Sequence, residues 1–181
     1  MYADEIVLPE TKPETEWVRG RALQKVSPKR RHARLQGALF LVLARWAAER
    51  GEIGIEWRFR LQPAGEVRRP LVPDLSFVTF ERLQGLVGED LEAPPIAPDV
   101  AIEILSPGDR RADVTHKIGV YLACGTALVL VVDPRDRSVV LHDARGHRRL
   151  VDGDTIEHAM LPEFTLGVTE LFVAIEPPRM P

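Results

Sequence analysis

Residues 98–134 read PDVAIEILSPGDRRADVTHKIGVYLACGTALVLVVDP, and the architecture can be built outward from them. Val100–Leu105 is short, rich in β-branched residues and bounded by Pro98 and Pro107, as a strand is. Asp109–Gly125 predicts a helix with an acidic start and a glycine past its end. Leu128–Val132 is an unbroken apolar run, the mark of a strand buried on both faces. Asp133-Pro134-Arg135-Asp136 predicts a turn, and Ser138–His142 returns as a strand. After Arg148–Val151 and a turn at Gly153, Leu161, Phe164, Leu166 and Leu171 predict a cover over the core. Upstream, Leu71–Phe80 and Ile53–Leu61 each predict a strand. Before them, SPKRRHARLQGALFLVLARWAAERG predicts a long helix of roughly 22 residues. Ser27 is its N-cap and Pro28 its first residue, Leu35, Leu39, Val42 and Trp46 recur at helical spacing, and Gly51 stops it. Residues 1–26 are mixed and polar, an arm with a short strand near its end. Helix, strands, helix and strands again make a mixed α/β (α+β) fold.

The composition narrows the function. With 181 residues, 45% hydrophobic and 28% charged, the chain is expected to form one domain with a real core rather than a disordered segment. One cysteine, Cys124, excludes an internal disulfide framework and a cysteine zinc cage. No apolar run reaches the roughly 18 residues of a membrane span, and no basic segment followed by an apolar core opens the chain. The expectation is a soluble cytoplasmic protein with no membrane partner. The five histidines are scattered without ligand spacing, and glycine-rich nucleotide loops are absent. A net charge of −3 does not by itself advertise nucleic-acid binding.

Acids inside apolar strands carry the chemistry. Strand alternation puts Asp99, Ala101, Glu103 and Leu105 on one face, and Val100, Ile102 and Ile104 on the other. A carboxylate in mid-strand must be solvated, paired or bound to a cation. In LVPDLSFV, Asp74 enters another apolar strand in the same way. Two such carboxylates aimed at one point repel each other and need a cation, and an all-oxygen site suits Mg²⁺ or Mn²⁺ better than Zn²⁺. For either acid alone, exposure on a one-sided sheet is the simpler account, and the pair weakens it. Lys117 lies at the edge of a helical stripe of Val114, Ile118, Tyr121 and Leu122. It either snorkels and pairs with Asp113 one turn away, or aims at the carboxylates and stabilises charge on a phosphate.

Here the run PDLSFV…PDVAIEILSPGDRRADVTHKIGVYLACG…VLVVDP resembles the Uma-type family of restriction endonucleases, within the PD-(D/E)XK nuclease superfamily. The likeness runs from about Ser27 to LPEFTL. It implies a restriction-endonuclease-like core, αβββαβ, with a central mixed sheet flanked by helices. Asp74 and Glu103 match the family's metal-binding acids. The superfamily's lysine stands two residues after the second acid, where this chain has Leu105; the family moves it to the next helix, which matches Lys117. The strand before VDP lacks the tryptophan common in the family. The resemblance implies Mg²⁺- or Mn²⁺-dependent hydrolysis of DNA phosphodiesters by Asp74, Glu103 and Lys117. Length and the pass along the chain together predict one restriction-endonuclease-like domain over residues 1–181: an arm (1–26), a long helix (27–50), sheet and catalytic core (53–142) and a C-terminal cover (143–181).

Around this set, His32, Glu56, Asp113 and Tyr121 are outer candidates. His32 is taken as a surface residue able to touch water or phosphate. Glu56 is better explained as a partner of Arg58, Asp99 as structural, and Asp113 and Tyr121 as orienting Lys117. Lys25, Lys29, Arg30, Arg31 and Arg34 crowd the start of the long helix, against its dipole, which an arriving phosphate would relieve. Arg68-Arg69 and Arg110-Arg111 flank the two site segments. These basic runs carry no interleaved aromatics, so duplex backbone contact is expected rather than base stacking. Cutting both strands would favour a homodimer. The alternatives are a catalytically silent nuclease fold that binds nucleic acid or a protein, and a hydrolase of small phosphate esters.

Overall fold

A computed structural model describes residues 5–177. The arm folds into a hairpin of β1 (Thr15–Val18) and β2 (Arg21–Gln24). Its two turn residues, Arg19 and Gly20, both have positive φ (51° and 77°), as the tight type I′ connection demands. Helix α1 spans Arg30–Ala47, with Lys29 as N-cap, so Ser27 and Pro28 lie outside it. Pro28 holds the residue before it extended, and Lys29 is itself extended at φ −84° and ψ 167°, which delays the helix start. Its buried stripe is His32, Leu35, Leu39, Leu43 and Ala47; Val42 and Trp46 lie at the margin, partly buried. Gly51 does not cap α1 but opens β3 (Gly51–Ile55). A Cβ there would sit 2.1 Å from the Val78 carbonyl oxygen, so only glycine permits the approach to the neighbouring strand.

The expected strand at 53–61 is broken. Glu56 adopts φ +49°, and pairing resumes only in β4 (Phe59–Leu61), which joins β5 (Arg69–Leu71) in a separate ribbon. The expected strand at 71–80 likewise divides, because Val72-Pro73-Asp74 separates β5 from β6 (Leu75–Thr79). Two single-turn helices follow, α2 (Phe80–Leu83) and α3 (Glu89–Glu92). Then come β7 (Val100–Ile104), α4 (Arg111–Ala123), β8 (Leu128–Asp133), β9 (Ser138–Asp143) and β10 (Gly146–Leu150). Short β11 (Thr155–Ile156) and β12 (Leu166–Gly167) pair with each other, and α5 (Val168–Val173) ends the fold.

The central sheet has six strands in the order β10-β9-β8-β7-β6-β3. Only β7 and β8 run parallel, with α4 as their crossover. On one face, Leu35, Leu39 and Leu43 of α1 meet Phe77, Ile102, Leu130 and Leu141, and Phe164 and Phe172 of the tail close the layer. On the other, Val120 and Tyr121 of α4 cover Ala101, Val129 and Val131, joined by Val18, Phe59 and Leu71. The tail is fastened to α1: Trp46 donates to the Pro162 carbonyl, and Arg30 and Arg34 donate to the carbonyls of Ile175, Glu176 and Ala174. No described helix is long and apolar enough to cross a membrane.

Candidate active site

Leu75 stands opposite Ile102 in the antiparallel β6–β7 register, so Asp74, one residue earlier, falls beside Glu103. Asp74 Oδ2 accepts from the Ile104 backbone N–H at 2.7 Å, which ties the entry of β6 to the end of β7. Strand alternation places Glu103 with Ala101, under α4. There its Oε2 accepts from Lys117 Nζ at 2.7 Å and its Oε1 from the Tyr121 hydroxyl at 2.9 Å. Lys117 and Tyr121 are one helical turn apart, so one face of α4 grips both oxygens of one carboxylate. Lys117 is not an edge residue. It lies in the buried stripe Asp113, Lys117, Val120, Tyr121, while Val114, Ile118 and Leu122 are only half-buried.

Two further charges come from the arm. Glu16 of β1 is buried, and its Oε1 accepts a second bond from Lys117 at 2.9 Å while its Oε2 accepts from the Val72 N–H at 3.2 Å. Lys25, just past β2, donates to Asp74 Oδ1 at 2.6 Å and to the Val72 carbonyl at 3.0 Å. His32 is buried, not on the surface, and its Nε2 lies 3.2 Å from Asp74 Oδ2. Glu16 has no place in the sequence-level site, and Lys25 figures there only as one cation among several. The Arg-Gly turn between two short β-capable runs was the available sign that the arm is a hairpin. Glu16, Lys25, His32, Asp74, Glu103 and Lys117 all line one cavity of about 450 Å³.

Burial dominates their electrostatics. It would raise Asp74, but the Lys25 ammonium, with His32, holds this carboxyl well below the usual range. Glu103 is pushed up to about 7 by burial, with Asp74 and Glu16 adding to the push against the pull of Lys117. Burial alone would lower Lys117; Glu103, Glu16 and Asp74 more than offset it and keep the ammonium charged. Burial beside Glu103 raises the Tyr121 hydroxyl well above normal, so it stays a donor.

The other candidates divide. Asp113 does not pair with Lys117; it receives Arg21 at 2.6 Å and Arg19 at 3.4 Å and so clasps the hairpin turn to α4. Glu56 does not pair with Arg58, which bonds Glu14 instead, but it lines the same cavity. Asp99 is structural: it accepts from the Thr79 N–H and from Arg82. Arg30 and Arg34 serve the end of α5, where free carbonyls need donors, and Arg69 is buried on Glu66. Lys29, Arg31, Arg110 and Arg111 are exposed and Arg68 half-buried; of the basic candidates, Lys25 and Arg110 line the cavity.

Glu16, Asp74 and Glu103, three of the six carboxylates that line the cavity, are hard oxygen donors of the kind that suit Mg²⁺ or Mn²⁺. Among the described residues, no three such side chains converge as ligands in this arrangement. One oxygen of each of the three instead accepts from an ammonium group, Asp74 from Lys25 and Glu16 and Glu103 from Lys117.

A family model, Uma2, described as "Putative restriction endonuclease", matches residues 4–169. The fold resembles the crystal structure of "a putative nuclease belonging to DUF820 from Anabaena variabilis ATCC 29413", with a TM-score of 0.83 and 26% identity over 93% of this chain and 95% of that one. No curated protein matches.

Proposed function

Because the chain belongs to the Uma2 family, we propose that it is a divalent-metal-dependent endonuclease that hydrolyses DNA phosphodiester bonds. One observation carries this above the others: Asp74 and Glu103 meet at adjacent strands in a single cavity, with Lys117 bonded to Glu103. Asp74 and Glu103 would hold Mg²⁺ or Mn²⁺, with Glu16 beside them. A divalent cation there supplies polarisation of the phosphate and a more acidic water. Tyr121 fixes the orientation of Glu103 through its hydroxyl. Lys117, anchored between two acids, presents positive charge to a scissile phosphate as negative charge grows on it.

Arg21 and Arg110 line the cavity and suit backbone phosphates, and Lys29, Arg31 and Arg111 extend the positive surface. Paired sites for the two strands of a duplex favour a homodimer. The test is cleavage of supercoiled plasmid with Mg²⁺ or Mn²⁺, comparing wild type with Asp74→Ala and Glu103→Ala at equal folded concentration. Nicking that disappears in both variants supports the reading. Equal nicking in all three removes these acids from the chemistry.

A further inference from the structure

The two lysines of the site are held differently. Lys117 sits between two buried carboxylates on a packed helix. Lys25 lies at the exit of a surface hairpin, 12% exposed, and its ammonium contacts one carboxylate oxygen and one backbone carbonyl oxygen. Those two oxygens, from Asp74 and Val72, are the kind of ligand a hard divalent cation takes. The charge count points the same way. Glu16, Asp74 and Glu103 bring three negative charges, and Lys25 and Lys117 return two positive ones. A divalent cation added to these five groups would turn their sum positive and would repel the less anchored ammonium, that of Lys25.

We propose that Lys25 is a built-in competitor for the metal: it occupies Asp74 Oδ1 in the metal-free protein and leaves that oxygen when a divalent cation binds. The proposal rests on the metal-dependent reading above. Release needs little of the fold to move. Lys25 follows the last residue of β2, its side chain reaches the cavity edge, and four rotatable bonds let the ammonium swing toward solvent or an incoming phosphate. Asp74 keeps the Ile104 N–H and His32 in the meantime. Metal therefore loads against a resident charge, and the wild-type affinity is held down by it.

The experiment is Mn²⁺ binding without nucleic acid, read by calorimetry and by electron paramagnetic resonance, on wild type, Lys25→Met, Lys25→Gln and Asp74→Asn. Lys25→Gln retains a neutral donor for Asp74, so it reports on charge rather than on lost packing. Thermal melts with and without Mn²⁺ establish that each variant is folded. Lys25→Met and Lys25→Gln should bind Mn²⁺ tighter than wild type by roughly tenfold or more, equivalent to about 1.4 kcal/mol, and should gain more melting temperature from it. A merely structural lysine would give the opposite, since its loss could only loosen the site. Unchanged or weaker Mn²⁺ binding in both lysine variants, with wild-type binding abolished by Asp74→Asn, overturns the role of Lys25 and leaves the metal reading standing. If none of the four proteins binds Mn²⁺, the metal reading falls and this proposal falls with it.

Discussion

Replacing Lys117 with methionine keeps the length and apolar stem of the side chain and removes one charge. That charge sits 2.7 Å from Glu103 and 2.9 Å from Glu16, and all three groups are buried. At an effective dielectric of about 20, each contact carries about 6 kcal/mol of gross attraction. Most of that offsets the desolvation of the same groups, and breaking a buried pair at one end typically costs about 3–5 kcal/mol net. The structure also sets a ceiling. A stranded carboxylate can always take up a proton, which costs at most about 5 kcal/mol at pH 8 and about 1 kcal/mol at pH 5 against an unfolded pKa near 4.3; Glu103, already at about 7, has only about 1.4 kcal/mol of this left to lose at pH 8 and none at pH 5. In the variant Glu103 is raised further, so its added penalty is fully present above the new value and fades as pH falls toward the wild-type value of about 7. Lys117→Met should therefore lose about 3–5 kcal/mol at pH 8, near 10 °C in Tm for a chain of this size, and at most about 1 kcal/mol at pH 5. Urea unfolding of both proteins across that range measures the gap directly. Adding Glu103→Gln to the variant should recover part of the loss at pH 8. A gap that is the same at pH 5 and pH 8, or no gap at all, would refute the claim that Lys117 neutralises two buried acids.

Tyr121→Phe removes a hydroxyl that donates to a buried carboxylate at 2.9 Å. It should cost about 1–3 kcal/mol in chemical unfolding with the fold retained, and unchanged stability would contradict the bond. Asp113→Asn should free Arg19 and Arg21, so trypsin should cut the β1–β2 turn faster than in wild type while the core stays protected; equal cutting rates would mean that the clasp does not hold the hairpin. Mn²⁺ affinity should rise about tenfold per pH unit up to about 7, where Glu103 loses its proton, and level off above, because only the ionised carboxylate can ligate. Asp74, held far below that range, adds no slope there. Affinity that is flat from pH 5.5 to 8.5 would contradict a protonated Glu103.

What the sequence made legible is what local pattern controls. Strand β7 was readable because two prolines fence five apolar-rich residues, and α4 because its turn residues and Gly125, at φ +98°, bracket one helical stretch. Asp74 at the entry of β6, Glu103 in β7 and Lys117 in α4 were readable as an odd set of charges, and the structure brings them into one cavity. The misreadings share a cause. On a helical wheel Lys117 looks marginal because the wheel scores apolarity, whereas the buried stripe of α4 is half ionic, with Asp113 and Lys117 buried by pairing. His32 looked like a surface residue for the same reason, since its polar partner, Asp74, lies 42 residues along the chain. Glu16 was invisible because its partner Lys117 lies 101 residues away, and no local periodicity encodes that meeting. The break at Glu56 depends on a left-handed backbone that alternation alone does not announce.

The three acids also explain why this arm cannot be a detachable extension. Without β1 and β2, Lys117 would face only Glu103 and Asp74 would lose its ammonium, leaving the sheet end with two acids and one cation. With the hairpin in place, each acid has at least two donors: Glu16 from Lys117 and Val72, Asp74 from Lys25 and Ile104, Glu103 from Lys117 and Tyr121. The clasp of Asp113 on Arg19 and Arg21 sits at the turn, the far end of the hairpin from Lys25. The turn is thus pinned to α4 while the residue bearing the ammonium stands at the exit, next to the 27–29 segment that leads into α1. The base is closed as well, because the Lys25 backbone N–H donates to the Glu14 carbonyl at 2.8 Å and the Gln24 amide to the Pro13 carbonyl at 3.1 Å. The exchange proposed for Lys25 therefore requires a side-chain movement alone, with the hairpin left in place.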